Sequence, residues 1–365
     1  MPLYMDLHHI DPDLTQEDLD SAHLKDIEVQ DKYGLEHKKY YVNFEAKTVF
    51  CLISAPDKQA LNDAHAEVHG VGPCNVIEVT SLTPTYDFHA MIGEEGGKNE
   101  FDVALTSTGD IDTGFRTLLQ VSLVATQPSH QLMEQDLFRL IRKHDGRIVQ
   151  MPEDRIVASF LHVHEGLLCL RSLERYLFAQ AAEPEYHLAL VTGRPVDETG
   201  QVLFEKANEQ LQAICQLGVR GLGYIDEVSH ALFVKGMDKP PVFETGRYRV
   251  LTGPELEFFV RLRELLNTNL VNPGFKASQV GEALGLSRSQ LYRKFKEMTG
   301  YSPGAYLQEI RLRRALQKLK DPGRQIAQIA YGLGFNSPNY FTRLFKRRYG
   351  ILPTDFTHRL DSKAT

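Results

Sequence analysis

The sequence has 365 residues, a length that indicates two or three domains rather than one core. Its content of 42% hydrophobic and 24% charged residues is typical of globular proteins and excludes wholesale disorder. No apolar run approaches the roughly 18 residues of a membrane-spanning helix, and the first residues show no basic-then-apolar signal pattern. The four cysteines are scattered without a C-x-x-C pair, which suits a reducing compartment. We therefore expect a cytoplasmic protein with no membrane contact.

The net charge of −7 divides unevenly at Pro254. Residues 254–365 carry 19 Lys and Arg against 9 Asp and Glu, a net charge of +10. Residues 1–253 carry 22 against 39, a net charge of −17. The basic part suits a polyanion, because Lys and Arg release condensed counterions from phosphate. A merely solvated basic face is the alternative.

Residues 1–80 are predicted to run strand, helix, strand, strand, helix, strand. Thr15 is a suitable N-cap for a helix that ends near Tyr33, and the second helix follows Pro56. This order predicts a ferredoxin-like α/β domain.

Residues 81–100 are rich in Pro, Gly and acidic side chains and are interpreted as a linker. Residues 101–246 again mix strand patterns with helical stretches near 131–143 and 205–217, which predicts a second α/β domain. Residues 254–360 are helical throughout. The predicted fold class is multidomain α+β followed by an all-α domain.

An internal repeat lies in the helical part. LYRKFKEMTGYSP, residues 291–303, realigns with FTRLFKRRYGILP, residues 341–353, at a constant offset of 50. A glycine turn, at Gly285 and Gly334, precedes each copy. A short helix, a sharp turn and a second helix form a helix-turn-helix, so the repeat predicts two such units joined by a helix.

Ser287 and either Asn336 or Ser337 are suitable caps for the second helix of each unit. Helical spacing places one set of side chains in the core, namely Leu291, Phe295 and Met298 in the first copy and Phe341, Phe345 and Tyr349 in the second. The opposite faces are left for solvent or DNA.

The pattern A-x-x-x-G-F-x-S-x-x-Y-F-x-R-x-F-K-x-x-x-G at 330–350 resembles the arabinose-regulator (AraC/XylS) family, over about 254–356. The resemblance implies two recognition helices in successive major-groove segments of an operator in double-stranded DNA. The implied base-contacting residues are Ser289, Tyr292, Arg293, Asn339 and Arg343. The expected phosphate-contacting residues are Ser287, Lys296, Ser337, Lys346 and Arg347.

Residues 116–246 resemble a class III nucleotidyl cyclase domain, through FRTLLQVSLVAT, HDGRIVQMPEDRIVASF and HLALVTGRPV. In that family two Asp hold two Mg²⁺, and an Asn and an Arg stabilise the transferring phosphoryl group. The matching positions here are Ser122, Asp154, Asn208 and Gln212. Since two of the four roles are vacant, we expect a degenerate site and no enzyme, with a homodimer implied by the resemblance. Ordinary turn and cap roles for Asp154 and Asn208 are the alternative.

Histidines crowd the first eighty residues. His65 and His69 lie at i and i+4 on a predicted helix, and Asp6 and His8 point to one face of a strand. The segment resembles small ferredoxin-like nickel-binding proteins, which makes these four residues candidate ligands of a divalent transition metal, nickel or zinc. The alternative is a set of histidines hydrogen-bonded around a sheet.

The sequence thus predicts a sequence-specific DNA-binding transcription regulator whose front domains respond to a small molecule or a metal. A residual nucleotide cyclase and a metal-binding protein with accessory DNA binding are the alternatives. The vacant positions Ser122 and Gln212 argue against the first, and the repeated Arg293 and Arg343 argue against the second.

Overall fold

A computed structural model describes residues 1–79, 88–93, 96–124, 130–150, 155–180, 185–235, 248–321, 323 and 325–361. The front domain contains β1 (Leu3–His9), α1 (Gln16–Tyr33), β2 (Glu36–Asn43), β3 (Thr48–Ser54), α2 (Lys58–His69) and β4 (Asn75–Glu78). Its antiparallel sheet has the order β2-β3-β1-β4. The predicted strand and helix order is confirmed. Thr15 caps α1 in a reciprocal capping box with Asp18.

The two faces of the front sheet have different partners, because successive strand residues point to opposite sides. Tyr4 of β1 packs in the cluster beneath α1 and α2. Met5 and Leu7 point the other way, into a core shared with the next domain. Gly114 lies at this junction with φ of +76°, and a Cβ there would approach Tyr41 Cβ to 3.2 Å. The front domain is therefore packed tightly on its neighbour.

The middle domain is a six-stranded sheet with helices on both faces, in the order β10-β9-β8-β5-β7-β6. Strands β8, β9 and β10 are parallel neighbours, and the remaining pairs are antiparallel. Its elements are β5 (Arg116–Val124), α4 (His130–Lys143), β6 (Arg147–Gln150), β7 (Arg155–Phe160), α5 (Val163–Phe178), β8 (Glu185–Gly193), α6 (Glu205–Leu217), β9 (Gly223–Asp226), α7 (Glu227–Lys235) and β10 (Tyr248–Leu251). The strands and helices predicted in this stretch are confirmed over the described residues.

The stretch interpreted as a linker, 81–100, includes a short buried helix in its described part. A short helix, α3 (Phe88–Ile92), buries Phe88, Met91 and Ile92 and packs against β6 and β7. Arg116, only 1% exposed, donates to the Ile92 carbonyl at 2.6 Å and pairs with Asp112 through both terminal nitrogens. The Pro- and Gly-rich flanks concealed this short apolar turn.

The C-terminal part is helical, as predicted: α8 (Gly253–Asn269), α9 (Ala277–Leu284), α10 (Arg288–Thr299), α11 (Pro303–Lys318), α12 (Ile326–Gly332), α13 (Pro338–Tyr349) and α14 (Pro353–Asp361). Helix α8 packs along α6 of the middle domain. The Tyr306 hydroxyl of α11 donates to the Leu217 carbonyl at the end of α6. One apolar core therefore runs from the front sheet through the middle domain to α9, α10 and α11. Helices α12, α13 and α14 have a separate core.

Candidate nucleic-acid interface and metal site

The first helix-turn-helix unit consists of α9 and α10. Gly285 ends α9 with φ of 67°, a left-handed conformation that glycine adopts without steric cost. Ser287 then caps α10 by accepting a hydrogen bond from the Gln290 backbone at 3.3 Å, as predicted. Leu291, Phe295 and Met298 are buried. The sharp turn and the apolar face together hold α10 against the domain with its other face outward.

The second unit repeats this arrangement with α12 and α13. Gly334 makes the turn with φ of 79°, and Ser337, rather than Asn336, accepts from the Tyr340 backbone at 3.4 Å. Phe341 and Phe345 are buried, and Tyr349 is partly buried. The inward faces expected from helical spacing are thus found in both copies.

The outward faces carry the residues predicted to contact DNA. The five predicted base-contacting residues are exposed, as are most of those predicted to contact phosphate: Ser289, Tyr292, Arg293, Asn339, Arg343, Ser287, Lys296, Lys346 and Arg347. Ser337 is half-buried because it caps α13. The structure therefore leaves both sets accessible on α10 and α13.

One positioning contact was not predicted. The Arg343 guanidinium lies over the Tyr340 ring, 5.4 Å from its centroid. The Tyr340 hydroxyl in turn accepts a hydrogen bond from Gln308 of α11 at 3.1 Å. Stacking on an aromatic face restrains a guanidinium while leaving its donors free. Tyr340 thereby orients Arg343 toward solvent.

A second cluster of charges lies in the front domain, between α1, α2 and the sheet. Asp6 is fully buried in β1, with Oδ2 3.1 Å from His65 Nε2 and 3.3 Å from His8 Nε2. Its other oxygen accepts from the Cys51 backbone at 2.9 Å. Asp26 of α1 lies 2.7 Å from His69 Nε2 and 3.8 Å from His65 Nδ1. His65 therefore lies between two carboxylates.

These residues form two groups, and within each group the potential ligand atoms lie within 4.8 Å of one another. The first group is Asp6, His8 and Cys51, and the second is Asp26, His65 and His69. The predicted quartet is brought to one helix–sheet interface, but it is divided between the groups. Asp26 and Cys51 were not among the ligands predicted from the sequence. Asp26 lies three residues after His23 on α1, on the same face of the helix, which is the one local signal for it.

The donor chemistry fits a divalent transition metal. Within the described residues, Nε2 of His8 and Nδ1 of His65 are buried without a hydrogen bond of good geometry, although each lies near a carboxylate, at 3.3 Å from Asp6 and 3.8 Å from Asp26. Imidazole, carboxylate and thiolate are the ligand types that Ni²⁺ and Zn²⁺ accept. Buried ring nitrogens with incomplete hydrogen bonds destabilise the folded state, and a bound cation would satisfy them.

Electrostatics in this cluster are set by burial and by the carboxylates. Burial acts to raise the pKa of Asp6, but the imidazoles of His8 and His65 outweigh it and hold that pKa well below its usual range. Burial acts to lower the pKa of His8, but the Asp6 carboxylate raises it above its usual value. Burial, with Asp6 and Asp26 nearby, raises the pKa of the Cys51 thiol well above normal. Cys51 therefore stays protonated in the absence of a cation.

Three of the four positions matched to the cyclase site are engaged in structural contacts. Ser122 accepts a hydrogen bond from Gln120 at 2.9 Å. The buried Asn208 side chain donates to the Phe204 carbonyl at 3.1 Å, and Gln212 accepts from Arg263 of α8. Asp154 lies outside the described residues.

Comparison with known proteins identifies the two ends of the chain. Residues 280–359 match the family model for a helix-turn-helix domain, and residues 4–79 match that for the nickel responsive protein SCO4226-like family. The chain therefore carries a C-terminal helix-turn-helix domain and an N-terminal domain similar to the SCO4226-like family.

Proteins similar to this chain match about a fifth to just over a quarter of its length. "Histidine kinase P4" of Formosa agariphila is 35% identical over 96 residues, 26% of this chain and 7% of that protein. "HTH-type transcriptional regulator MtrA" of Neisseria gonorrhoeae is 36% identical over 74 residues, 20% of this chain and 25% of that protein. A solved AraC-type transcriptional regulator from Chromobacterium violaceum shares 28% identity and covers 28% of this chain and 92% of its own, with a TM-score of 0.27. The chain spans a quarter or less of the length of the two curated relatives.

Among the described residues, none of the helices has both the length and the apolar character needed to cross a membrane.

Proposed function

We propose that this protein is a sequence-specific DNA-binding transcription regulator that reads its operator with α10 and α13. The observation that carries the proposal is the repeated outward face. Arg293 and Arg343 occupy equivalent exposed positions of two capped helices that are 50 residues apart. Arginine grips the O6 and N7 atoms of guanine bidentately, which requires an accessible side chain on a helix that fits the major groove.

Charge supports the same conclusion. The segment that contains both recognition helices carries a net charge of +10, while the rest of the chain carries −17. Phosphate attracts the first part and repels the second, so DNA is directed to the helix-turn-helix face. The N-terminus of α10 is exposed at Ser287 and that of α13 is half-buried at Ser337, and backbone N–H groups at helix N-termini favour phosphate oxygens.

The test is selection of duplexes from a randomised pool by the full-length protein, followed by titration of a selected and a scrambled duplex at two salt concentrations. We expect the selected duplex to bind at least about a thousandfold more tightly at physiological salt. The Arg261→Ala variant, which removes an exposed arginine of α8 outside the recognition helices, is the matched control and is expected to bind normally. Equal affinity for both duplexes contradicts sequence-specific function.

We further propose that the front domain binds a divalent transition metal, nickel or zinc, through residues of the two donor groups, and that this controls DNA affinity. Asp6, His8, His65 and His69 are the proposed ligands from the sequence, and Asp26 and Cys51 complete the groups. A bound ion supplies positive charge at a buried junction of α1, α2 and the sheet. Coupling requires that the ion bind one arrangement of the chain better than another.

Calorimetric titration with Ni²⁺ and with Zn²⁺ tests the metal site. The wild type and the His9→Ala variant, which removes an exposed neighbour, are expected to bind alike. The double variant His65→Ala, His69→Ala is expected to lose binding. Equal binding by the double variant contradicts this assignment, and metal binding without a change in operator affinity contradicts the sensing role.

We propose that the middle domain is a non-catalytic descendant of a nucleotidyl cyclase that binds a ligand or pairs two chains in a homodimer. Ser122 cannot replace a metal-binding carboxylate, and Gln212 supplies no positive charge. Sedimentation of the full-length protein tests the homodimer, and a monomer at micromolar concentration contradicts it.

A further inference from the structure

A cavity of about 360 Å³ lies between the middle domain and the helix-turn-helix domain. One wall consists of β5, β7, β8 and the end of α6, and the other consists of α11 and the start of the turn after α12. The size is at the lower end of the range that small-molecule ligands fill, roughly 300–1,000 Å³. The cavity is distinct from the recognition surfaces and from the histidine cluster.

The charges that line the cavity have one sign. Five basic side chains and no carboxylate line it: Arg155, Arg313, Arg314, Lys318 and Lys320. Arg313 is paired with Glu185 and Glu309, and Lys318 is paired with Asp321. Within the described part of the chain, Arg155 and Arg314 have no carboxylate within ion-pair distance, and Nε of Arg155 is buried without a hydrogen-bond partner. Arg314 is instead bonded to the amide oxygen of Asn267 at 2.6 Å. Like charges in a partly desolvated space repel each other unless an anion lies between them.

The floor of the cavity offers polar groups and apolar surface together. His187, on β8, is 2% exposed; its Nε2 lies 3.8 Å from Glu185 Oε1, and among the described residues neither ring nitrogen makes a hydrogen bond of normal length. Ser122 and Gln120 lie beside it, and Leu217, Ile310 and Leu333 supply apolar contacts. A buried imidazole whose hydrogen bonds are incomplete is costly, and a ligand oxygen would complete them.

We propose that this cavity binds a small organic anion, a carboxylate or phosphate with an apolar body, and that the anion is an effector of DNA binding. Arg155 and Arg314 hold the acidic group from the two sides of the domain boundary, while His187 and Ser122 hydrogen-bond to it. Because α11 joins the two helix-turn-helix units, an anion held between β7 and α11 fixes where the units lie on the middle domain. This second step rests on the proposed function, and the binding step does not.

Titration of the full-length protein with the fluorescent anion 8-anilinonaphthalene-1-sulfonate tests the binding step. We expect uncharged 1-anilinonaphthalene to bind at least tenfold more weakly, and inorganic phosphate or citrate to compete with the dye. Arg155→Gln should weaken the dye at least tenfold, which corresponds to about 1.4 kcal/mol at 25 °C, while Arg155→Lys retains much of the affinity. Arg261→Gln, which removes the same charge from an exposed site, should leave it unchanged, and circular dichroism should show every variant folded.

A second variant tests the cavity without removing a charged side chain. Ser122→Phe places a ring in the cavity and should exclude the dye while leaving the ion pairs of α11 in place. Equal dye affinity in wild type, Arg155→Gln and Ser122→Phe overturns the proposal, because the dye then binds elsewhere.

Operator titration with and without saturating dye tests the effector step. We expect the dye to change operator affinity at least fivefold in the wild type and not in Ser122→Phe. An unchanged affinity with the cavity filled overturns the effector role. Failure of the wild type to bind any DNA specifically contradicts the proposed function instead, and leaves the dye measurements to decide the anion site.

Discussion

One arginine of the second recognition helix forms an ion pair with the middle domain. Arg348, in the last turn of α13, donates through Nε to Glu309 Oε2 at 2.8 Å and through Nη2 to Glu185 Oε2 at 2.7 Å. Glu309 belongs to α11, Glu185 belongs to β8, and each is only 5% exposed. Arg313 lies 3.1 Å from Glu309 and 3.6 Å from Glu185. Four charges from three elements thus form one buried cluster.

The cost of removing Arg348 follows from two arguments. Deleting one partner of a buried ion pair typically costs about 3–5 kcal/mol, and Arg313, which remains, reduces that cost. Burial acts to raise the pKa of Glu185, but His187, Arg313 and Arg348 outweigh it and lower that pKa from 4.5 to about 2. That shift corresponds to about 3 kcal/mol shared among the three partners. We expect Arg348→Ala to lower the free energy of unfolding by about 2 kcal/mol.

The assay is urea unfolding of the full-length protein, followed by circular dichroism at 222 nm. Because the folded-state pKa of Glu185 is lowered, its contribution is present above pH 4.5 and is lost as the pH falls toward about 2. The difference between wild type and Arg348→Ala should therefore shrink below pH 4.5. Arg347→Ala, which removes the exposed neighbour, is the matched control. An equal loss in both variants, or a loss under about 0.5 kcal/mol in Arg348→Ala, refutes this reasoning.

Three further outcomes are expected. On a selected operator, Arg343→Ala should lose about 1–3 kcal/mol of binding free energy and weaken the base preference at one base pair. Lys346→Ala should instead weaken binding to all duplexes alike. Titrations that give identical, sequence-independent losses for both variants show that Arg343 does not read a base. The purified protein should form no cyclic nucleotide from ATP or GTP with Mg²⁺ or Mn²⁺, and product above that of an Asp154→Ala control contradicts this. Burial raises the pKa of Asp226 from 3.8 to about 6, because the folded state favours the neutral carboxyl. The contribution of Asp226 to the free energy of unfolding is therefore fully present below pH 3.8 and is lost as the pH rises through 6. Asp226→Asn should remove that loss and raise the free energy of unfolding at pH 7 by about 2–3 kcal/mol. If the variant shows the same dependence of unfolding free energy on pH as the wild type, this prediction is wrong.

The features that local sequence determines were predictable. Helical spacing identified the buried face of α10, because the period of 3.6 residues places Leu291, Phe295 and Met298 together. Ser287 and Thr15 were predictable caps, because an N-cap acts within three residues of chain. The offset of 50 residues identified the second unit without knowledge of any contact.

The features that depend on distant parts of the chain were missed. Asp26 joins the histidine cluster across 43 residues from His69, and its place one turn after His23 on α1 does not identify that partner. Arg348 resembles its basic neighbours in sequence, yet it pairs with Glu185, 163 residues away. Helix α3 was concealed because its burial depends on β6 and β7, which follow later in the chain. Residues whose roles depend on tertiary contacts need the fold before they can be assigned.

The most direct test of DNA reading by two helices is a map of base preference for the wild type, Arg293→Ala and Arg343→Ala. Each position of a selected operator is varied in turn, and the affinity of each protein is measured at one salt concentration. If α10 and α13 enter successive major-groove segments, the two variants relax preference in different segments, about 10 base pairs apart. The account is contradicted if both variants lose base preference at the same positions, or if neither variant loses base preference at any position.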